Sequence, residues 1–501
     1  MPPLKHIFLF VLILILNINA YSQGRNANWV FGDSAGIHFN GLNVPTTFKT
    51  NCVSKGETAT ISDTSGNLLF YVYGKAFISD PNSQIMDNTF KQMINGDSIY
   101  GDTWFNTDII IPLPNNDSIY LLFVALPTAG GVTYSTIKKV NVNDTGMVLT
   151  KNNILLNNIM SDCIQAVKHG NGRDWWIITR LGGIIPNDSF FVWLVDPNGI
   201  SGPYPSKAGI SALDGFHHIS FNSDGSQFFE VSASGIIEEF NFDRCSGNIT
   251  SNRILHYPVT MNYPLFWGVA YAPNDKFVYL SQYKITEDSG FIYQLDLSLQ
   301  DPWLNREIVW AISPWQSPFL RLGPDKRIYV AHPDNQYAFP WYPYPDTLFN
   351  NENTHLGVIN QPDSPAVSCD FQPYSFYLGP NARTYTGTSN LPDYNLGPLV
   401  GSGCDTLSLP NPSTGGALGT LTASYIFEWQ TIFVNAQKLK GQNVTISVYD
   451  GLGSLKFEVE SLKAVGGYFT QSINASNWPA GLYLIELKTE KEKLSCKVVK
   501  Y

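Results

Sequence analysis

Residues 222–232 read NSDGSQFFEVS, a short polar run followed by a strand-like run of aromatic and β-branched residues. Two interpretations of the polar run compete: a calcium-binding loop and a tight turn between two strands. A calcium loop needs a dense set of oxygen ligands, such as D-x-[DN]-x-[DN]-G followed by a distant Glu. Asp224 is the only carboxylate in NSDGS, and Glu230 already belongs to the following strand. The pattern therefore favours a turn.

Five further segments repeat this form, in which an alternating apolar strand, a turn and an aromatic-rich strand follow one another. They are ISDTSGNLLFYVY (61–73), PLPNNDSIYLLFVA (112–125), KHGNGRDWWIITR (168–180), YAPNDKFVYLSQ (271–282) and RLGPDKRIYVAH (321–332). The turn markers Gly66, Asp117, Gly172, Gly225, Asp275 and Lys326 are 51, 55, 53, 50 and 51 residues apart. A period near fifty is typical of a four-stranded propeller blade and is hard to obtain from a sandwich.

A weaker seventh copy, VSCDFQPYSFYLG (367–379), is too short for a whole blade, and ANWVFGDSAGIHFN (27–40) supplies two strand-like runs that belong to no copy. A ring that did not close would expose strand edges. We therefore predict an all-β chain with a seven-bladed β-propeller over 23–380, whose last blade the N-terminal strands complete. Residues 381–403 are polar and rich in Gly and Pro, which predicts a linker. Alternating strands over 404–501 predict a small Ig-like β-sandwich.

Residues 1–22 are predicted to be a secretory signal peptide, because Lys5 and His6 precede an apolar run and small residues follow it. A membrane anchor is the alternative, but the run is shorter than the ~20 residues that span a bilayer. We expect a monomer with no transmembrane segment after cleavage. The net charge of −10 is a poor match for nucleic acid.

Six cysteines in an oxidising compartment allow 15 complete pairings, and their positions in the repeats place Cys52 near Cys369 and Cys163 near Cys245. These two pairs are the predicted disulfides. The wide spacing excludes a CxxC knuckle, and there is no HExxH motif. We therefore predict neither a metal site nor a cofactor.

The first candidate site is the mouth of the propeller channel, where residues that begin each inner strand converge. These residues are Glu57, Asp108, Asp162, His217, His218, Trp267, Arg321 and Asp370. Acids near histidines can bind a cation or polarise a sugar linkage, although polar residues are also ordinary at the channel mouth of any propeller. His217 and His218 are adjacent on a strand and point to opposite faces, so they do not form a chelating pair.

The second candidate site is an aromatic surface formed by WAISPWQSPF (310–319) and YAFPWYPYP (337–345). Its members are Trp310, Trp315, Trp341, Tyr342 and Tyr344. Exposed aromatic rings stack on sugars or on a partner protein. The alternative is that these rings fill the gap between blades.

The tail segments LPNPSTGG (409–416), VYDGLGSL (448–455) and WPAGLYLIELKTEKEKLSCKVVKY (478–501) resemble the type A C-terminal sorting domain (Por) of the type IX secretion system of Bacteroidota. The matching residues are Pro410, Asn411, Pro412, Gly415, Asp450, Gly453, Gly481, Leu482, Tyr483, Lys497 and Lys500. The resemblance implies a partner, the type IX machinery, and delivery across the outer membrane. It also implies removal of the domain, often with attachment to surface lipopolysaccharide.

The rest of the chain resembles uncharacterised secreted propeller-like proteins of the same bacteria through NWVFGDSAGIHF, FDRCSG, LGPDKRIYV and HLGVINQPDSPAVSCDFQ. Lys326 stands where that group usually has Gly. This resemblance implies an architecture and a location, and it implies no activity.

We predict a secreted or cell-surface binding module for a glycan or a protein, with no catalytic residue assigned. The alternative is a carbohydrate-active enzyme, a hydrolase or lyase with its site at the channel mouth. A purely structural surface component is a third hypothesis.

Overall fold

The computed structural model describes residues 24–500 apart from a set of short segments, and the chain divides into two compact units, Met1–Leu409 and Pro410–Tyr501. The segments outside the description are 42, 55, 57, 75–82, 102–105, 128–129, 183–186, 213–214, 258–264, 285–288, 313–317, 333–347, 386, 406–419, 427–429, 438, 440–442, 451–452, 465–468 and 492. The predicted signal peptide therefore lies outside the described residues.

In its described part, the first unit consists of seven antiparallel sheets that follow one another along the chain. Two sheets have three strands: β1 (Asn28–Phe31), β2 (Asp33–His38) and β3 (Thr46–Val53), then β4 (Thr58–Ser62), β5 (Leu68–Tyr73) and β6 (Gln84–Asp87). The third sheet contains β7 (Asp108–Pro112), β8 (Ile119–Ala125), β9 (Val132–Lys138) and β10 (Met147–Leu156). The fourth contains β11 (Met160–Lys168), β12 (Trp175–Leu181), β13 (Asn187–Asp196) and β14 (Gly199–Ala212).

The remaining three sheets also have four strands each. The fifth contains β15 (His217–Phe221), β16 (Gln227–Ser232), β17 (Ile237–Phe242) and β18 (Ile249–His256). The sixth contains β19 (Leu265–Tyr271), β20 (Phe277–Lys284), β21 (Ser289–Asp296) and β22 (Glu307–Ile312). The last contains β23 (Phe319–Leu322), β24 (Ile328–Ala331), β25 (His355–Ile359) and β26 (Phe371–Tyr377), with the short helix α1 (Asn351–Thr354) before β25.

The first strands of successive sheets contact one another in the order β1, β4, β7, β11, β15, β19 and β23. The ring closes where Trp29 of β1 packs against Tyr329 of β24, with ring centroids 5.6 Å apart. Sheets arranged radially around their first strands are the architecture of a β-propeller. The predicted all-β propeller is confirmed, and aromatic and β-branched side chains fill the space between its sheets.

All six turns of the repeat lie between the first two strands of a sheet, as the pattern predicts. The turn between β15 and β16 shows the geometry: Gly225 has φ +71° and donates its N–H to the Asn222 carbonyl at 3.2 Å. The Asp224 carboxylate accepts the Ser226 N–H at 2.8 Å, so it serves the turn. Lys326 occupies the same left-handed region at φ +66°, where a side chain is strained.

The predicted closure of the ring is wrong in its choice of segments. Residues 367–379 include β26, which is the fourth strand of a complete sheet, so this sheet needs no N-terminal strand. The N-terminal strands form a sheet of their own. Residues that follow β26 complete that sheet instead: Asp33 and Arg383 exchange two backbone hydrogen bonds of 2.9 and 3.0 Å. The two ends of the unit therefore do meet, as predicted, but residues that follow β26 add to the N-terminal sheet, and the N-terminal strands do not add to the last sheet.

Residues 382–405, which we call the axial segment, lie where a linker is predicted, yet many of their side chains are buried. Ser389 accepts the Val30 N–H at 3.0 Å and donates to the Val30 carbonyl at 2.7 Å. Asn390 donates its backbone N–H to Thr58 of β4 at 2.7 Å, and the Tyr394 hydroxyl donates to Ile110 of β7 at 2.6 Å. The segment therefore runs along the inner strands, inside the ring.

A disulfide between Cys245 and Cys404 fixes the far end of the axial segment. Cys245 lies in the turn between β17 and β18, and the backbone N–H of Leu399 reaches Gly170 beside it. The predicted pairing of Cys163 with Cys245 is therefore wrong. The pairing of Cys52 with Cys369 is wrong as well, because Cys52, Cys163 and Cys369 are buried free thiols. The predictions failed because the path of the axial segment, and not the repeat, decides which thiols meet.

The second unit contains two sheets around one apolar core, in agreement with the predicted small β-sandwich. Its strands are β27 (Thr420–Ile426), β28 (Thr431–Gln437), β29 (Asn443–Asp450), β30 (Leu455–Lys463), β31 (Phe469–Asn474), β32 (Gly481–Lys488) and β33 (Lys493–Lys500). One sheet has the order β27-β28-β31 and the other β30-β29-β32-β33.

Candidate functional site

The predicted channel mouth is filled by protein. Each of four predicted residues lies within the first three residues of an inner strand and is less than 8% exposed: Asp108, Asp162, His217 and Trp267. Asp162 accepts the His217 N–H at 2.7 Å, and the His217 imidazole lies 2.9 Å from Glu230, which also pairs with Arg180. These side chains hold neighbouring strands together, which explains their polarity without a ligand.

Other predicted residues are elsewhere or cannot be placed. Asp370 follows a 3-10 turn, Ala366–Cys369, and precedes the outer strand β26, so it is far from the inner strands in the order of the sheet. Trp310 lies on β22 and packs against the rings of His332 and Tyr374. Glu57, Trp315, Trp341, Tyr342 and Tyr344 lie outside the described residues.

The axial segment blocks the channel at Asn390, which is 1% exposed. Its side-chain amide donates to the carbonyls of Asp108 and Ile164 at 3.0 and 2.9 Å. Its side-chain oxygen accepts from the Arg321 guanidinium at 3.2 Å. One side chain therefore contacts β7, β11 and β23 together, and it forms a polar floor across the channel.

Next to this floor is a cavity of about 270 Å³, which we call the axial cavity. Its walls are formed by β15, β19 and β23, by residues of β1 and β11, and by the axial segment. It extends along β15 from His218 to the turn residues Asn222 and Ser223, so it lies toward the turn end of the inner strands. The open site is thus at the opposite end of the channel from the predicted mouth.

His218 is a neutral hydrogen-bond donor in the cavity wall. Its Nδ1 accepts the Val269 N–H at 2.9 Å, which places the ring proton on Nε2. Burial, together with the nearby Arg321, lowers the pKa of His218 well below its usual value. Among the described residues Nε2 has no hydrogen-bond partner, and it is not one of the buried unpartnered atoms, so it is open to the cavity.

Arg321 supplies the positive charge of the site. Its Nη2 donates to the side-chain oxygens of Asn106 and Asn390 at 2.9 and 3.2 Å. Nη1 has no partner in the described part of the chain and is not among the fully buried atoms, so it is open to the cavity as well. Burial lowers the pKa of Arg321 to about 10, and the side chain remains a cation at neutral pH.

Asp393 is the accessible carboxyl group of the cavity. One of its oxygens accepts the Asn395 N–H at 2.8 Å, and the side chain remains exposed to the cavity. The surrounding protein raises the pKa of Asp393, while the Asn395 N–H and the positive charges of Arg244 and Lys168 act in the opposite direction. The other lining carboxylate, Asp275, is engaged by the backbone N–H and hydroxyl of Ser223.

Two aromatic residues of the wall carry buried polar atoms that lack a partner among the described residues. They are the indole N–H of Trp29 and the hydroxyl of Tyr271, whose side chains are 1% and 2% exposed. Burial raises the pKa of Tyr271. Because both atoms are buried, they are closed to the cavity, and only the ring surfaces of Trp29 and Tyr271 can line it.

Sequence reasoning found part of this site. His218 and Arg321 both belong to the predicted inner-strand set. Asp393 and Trp29 were missed. Asp393 lies in the predicted linker and Trp29 in the strands predicted to close the ring, so neither was expected at the channel. Repeat analysis places inner strands, but it cannot show that a non-repeating segment enters the ring.

The predicted sorting residues lie on one sheet of the second unit. Asp450 and Gly453 form the turn between β29 and β30, where Gly453 has φ +83° and donates to the Asp450 carbonyl at 2.9 Å. Gly481 on β32 pairs with Lys500 on β33, and Lys497 pairs with Leu484.

Lys500 and Tyr483 are anchored within this unit. The Lys500 ammonium donates to the carbonyls of Ala475 and Trp478 at 2.7 and 2.6 Å. The Tyr483 hydroxyl donates to Pro479 at 2.6 Å. Pro410, Asn411, Pro412 and Gly415 lie outside the described residues.

The described residues contain neither a metal-binding cluster nor a membrane-spanning helix. No group of three or more His, Cys, Asp or Glu side chains there could hold a metal ion. Among the helices in the described ranges, none is both long and apolar enough to cross a membrane.

Residues 429–501 match the family described as the secretion system C-terminal sorting domain. No curated protein matches the chain. The chain is a secreted or cell-surface protein that is exported through the type IX secretion system, and its sorting domain interacts with that machinery. The predicted sorting domain and location are confirmed.

Several solved structures are similar to the chain at low identity. They include the β-propeller domain of Cps50 (Swd1) from Myceliophteria thermophila, with 10% identity, a TM-score of 0.36 and coverage of 62% of this chain and 93% of that one. The Dos1 propeller has 12% identity, a TM-score of 0.36 and coverage of 61% and 90%. A quinonprotein alcohol dehydrogenase-like protein from Bacteroides thetaiotaomicron has 12% identity, a TM-score of 0.37 and coverage of 72% and 76%. These likenesses carry no functional argument, and the propeller assignment rests on the sheets themselves.

Proposed function

We propose that the exported propeller is a binding module that takes the end of a glycan chain into the axial cavity. The observation that carries this proposal is the set of polar groups left open in one cavity: His218 Nε2, Arg321 Nη1 and the Asp393 carboxyl group. Polar atoms at buried positions normally have partners, and a cavity wall that leaves several open is suited to a polar ligand.

The size of the cavity supports a small ligand. A volume of about 270 Å³ lies just below the range of roughly 300–1,000 Å³ that is typical of drug-sized ligands. One or two sugar rings fit such a space, and Tyr271 and Trp29 provide apolar faces beside the polar groups. A protein ligand would reach the cavity only with a side chain or a loop tip, so the terminal unit of a glycan is the better match.

The carboxyl groups of the cavity support binding over hydrolysis. Glycosidases use a pair of carboxyl groups about 5–10 Å apart on either side of the sugar linkage. Among the lining residues that the structure describes, Asp393 and Asp275 are the acids, and Asp275 is held by Ser223 in a turn. One free carboxyl group can accept hydrogen bonds from sugar hydroxyls, but it cannot serve as both acid and nucleophile.

The test is a glycan array probed with the full chain, followed by calorimetric titration of each glycan that binds. Ser220 is a half-buried residue of the cavity wall, and Ser220→Trp would fill the space. Asp393→Asn preserves shape and removes the charge. We expect Ser220→Trp to abolish binding and Asp393→Asn to weaken it about 10- to 100-fold, the range for one hydrogen bond to a charged group.

Asp224→Asn is the matched control, because Asp224 lies in the turn after β15, does not line the cavity, and caps a backbone N–H that Asn can also cap. It should bind like the native chain. The proposal is wrong if both cavity variants bind glycans normally, or if the native chain binds proteins and no glycan. Release of new reducing ends from a bound glycan would favour the enzyme alternative.

A further inference from the structure

Arg321 is a half-buried arginine that differs from the buried Arg180 and Arg383 because it has no acidic partner among the described residues. Arg180 pairs with Glu230, and Arg383 donates to Asp33 at 2.6 Å. The hydrogen bonds of Arg321 go only to the neutral amide oxygens of Asn106 and Asn390. Among the described residues, no carboxylate forms an ion pair with it.

A charge that is partly removed from water, with no counter-charge beside it, is unusual in a folded protein. Removing a cation from water costs several kcal/mol, and proteins normally offset this cost with an opposite charge or a full set of hydrogen bonds. Arg321 receives neither, because its Nε is buried without a partner and its Nη1 faces the cavity. The floor of the cavity therefore carries an uncompensated positive charge.

His218 adds a second donor beside this charge. The His218 ring lies 4.5 Å from the ring of Phe319, and the Arg321 guanidinium lies 5.7 Å from the same ring. His218 on β15 and Arg321 on β23 therefore both lie beside the Phe319 ring. A single oxyanion placed there could accept from His218 Nε2–H and from Arg321 Nη1 together.

The negative charge of Asp393 lies toward the other end of the cavity. The positive charges that act on it are those of Arg244 and Lys168, and Lys168 is the last residue of β11, next to the turn. Asp393 therefore does not serve as the counter-charge of Arg321. The cavity has a positive floor and an acceptor near its opening.

We infer that the ligand of the axial cavity carries an oxyanion, a carboxylate or a sulfate ester, which binds Arg321 and His218 at the floor. This inference rests on the proposed function and narrows the ligand to the end of an acidic glycan. Arg321 supplies the counter-charge, His218 donates through Nε2–H, and Asp393 accepts from ligand hydroxyl groups. The ligand's charge would replace the acidic partner that Arg321 lacks.

The experiment is calorimetric titration of the full chain with methyl glucuronide, N-acetylglucosamine 6-sulfate and methyl glucoside. We expect either acidic sugar, or both, to bind at least about 10-fold more tightly than the neutral sugar, which is the range for a charge-assisted hydrogen bond. Arg321→Gln and His218→Gln should each weaken the acidic sugar about 10- to 100-fold and reduce the preference for the acidic over the neutral sugar. Arg321→Lys should retain part of the preference, since it keeps the charge.

Lys326→Gln is the control for general electrostatics, because Lys326 lies in an exposed turn at the same end of the propeller, outside the cavity. It should not change the preference. Equal affinity for acidic and neutral sugars would overturn the inference and leave the proposed function standing. The inference also fails if Arg321→Gln, shown to be folded by circular dichroism, keeps the native preference. If none of the three sugars and no glycan on the array binds, the proposed function itself fails.

Discussion

Asn390 makes the axial segment part of the propeller, and replacing it tests this directly. In Asn390→Ala, the carbonyls of Asp108 and Ile164 lose donors at 3.0 and 2.9 Å in a site that is 1% exposed. A buried acceptor that loses its donor costs about 1–3 kcal/mol. Two such acceptors predict a loss of about 2–5 kcal/mol in the free energy of unfolding. Water that enters from the axial cavity would bring the loss toward the lower value.

The assay is urea unfolding of the full chain followed by tryptophan fluorescence. Ten of the twelve tryptophans belong to the first unit, so the signal reports mainly on the propeller. Asn395→Ala is the matched control, because Asn395 lies on the same segment and its exposed side chain makes no hydrogen bond to the described residues. We expect the control to stay within about 0.5 kcal/mol of the native chain. If Asn390→Ala also stays within that range, residues 382–405 are a linker that does not stabilise the propeller.

Three further predictions concern the disulfide, a buried histidine and a strained turn. Replacing Cys245 and Cys404 together by Ser removes a cross-link that spans 159 residues and should lower the free energy of unfolding by about 5 kcal/mol; an unchanged urea midpoint would contradict this. His332 is buried among the rings of Trp310 and Tyr374, neither of its nitrogens has a partner in the described residues, and burial lowers the pKa of His332 to about 3. Between pH 6.5 and 3 the unfolded state therefore binds this proton and the folded state does not, so the free energy of unfolding decreases as the pH falls, by about 1.4 kcal/mol per pH unit. His332→Leu should remove this slope and raise the free energy of unfolding at pH 7 by about 1 kcal/mol. A native-like slope in the variant would contradict this account. Lys326→Gly relieves a side chain at φ +66° and should raise the free energy of unfolding by up to about 1 kcal/mol, whereas Lys326→Ala keeps the Cβ and should give no gain; equal effects of the two variants would mean that the turn is not strained.

Local chemistry made the repeat predictable from the sequence. A turn such as NSDGS depends on residues within four positions of one another, and Gly225 adopts the left-handed backbone that its type favours. The period of these turns then identifies the propeller, because few other all-β folds repeat near fifty residues. The same reasoning found His218 and Arg321, which lie on the inner strands of different sheets.

Long-range partners were not predictable in this way. Residues 381–403 contain Gly, Pro and polar residues, which predicts an exposed linker. In the structure, however, Arg383 donates a hydrogen bond to Asp33, 350 positions earlier, and Ser389 donates one to the Val30 carbonyl. The polar residues are present because the axis of the ring is lined with backbone groups that need partners. The disulfide was missed for the same reason, since Cys404 reaches Cys245 only along this path.

Ring closure also has a consequence for the order of events during synthesis. The residues that bond to β1 and β2 and occupy the axis emerge from the ribosome after all the propeller sheets, and Arg383 and Ser389 contact residues about 350 positions earlier. Contacts of such large sequence separation form slowly, because the chain loses the entropy of closing a long loop before the contacts contribute any stabilising free energy. A chain that stops short of residue 383 would lack the partners of Asp33 and Val30 in the first sheet and would leave the Asp108 and Ile164 carbonyls without the Asn390 donor. The propeller is therefore complete only after residues 382–405 have been synthesised, and products that end before them keep an exposed strand edge.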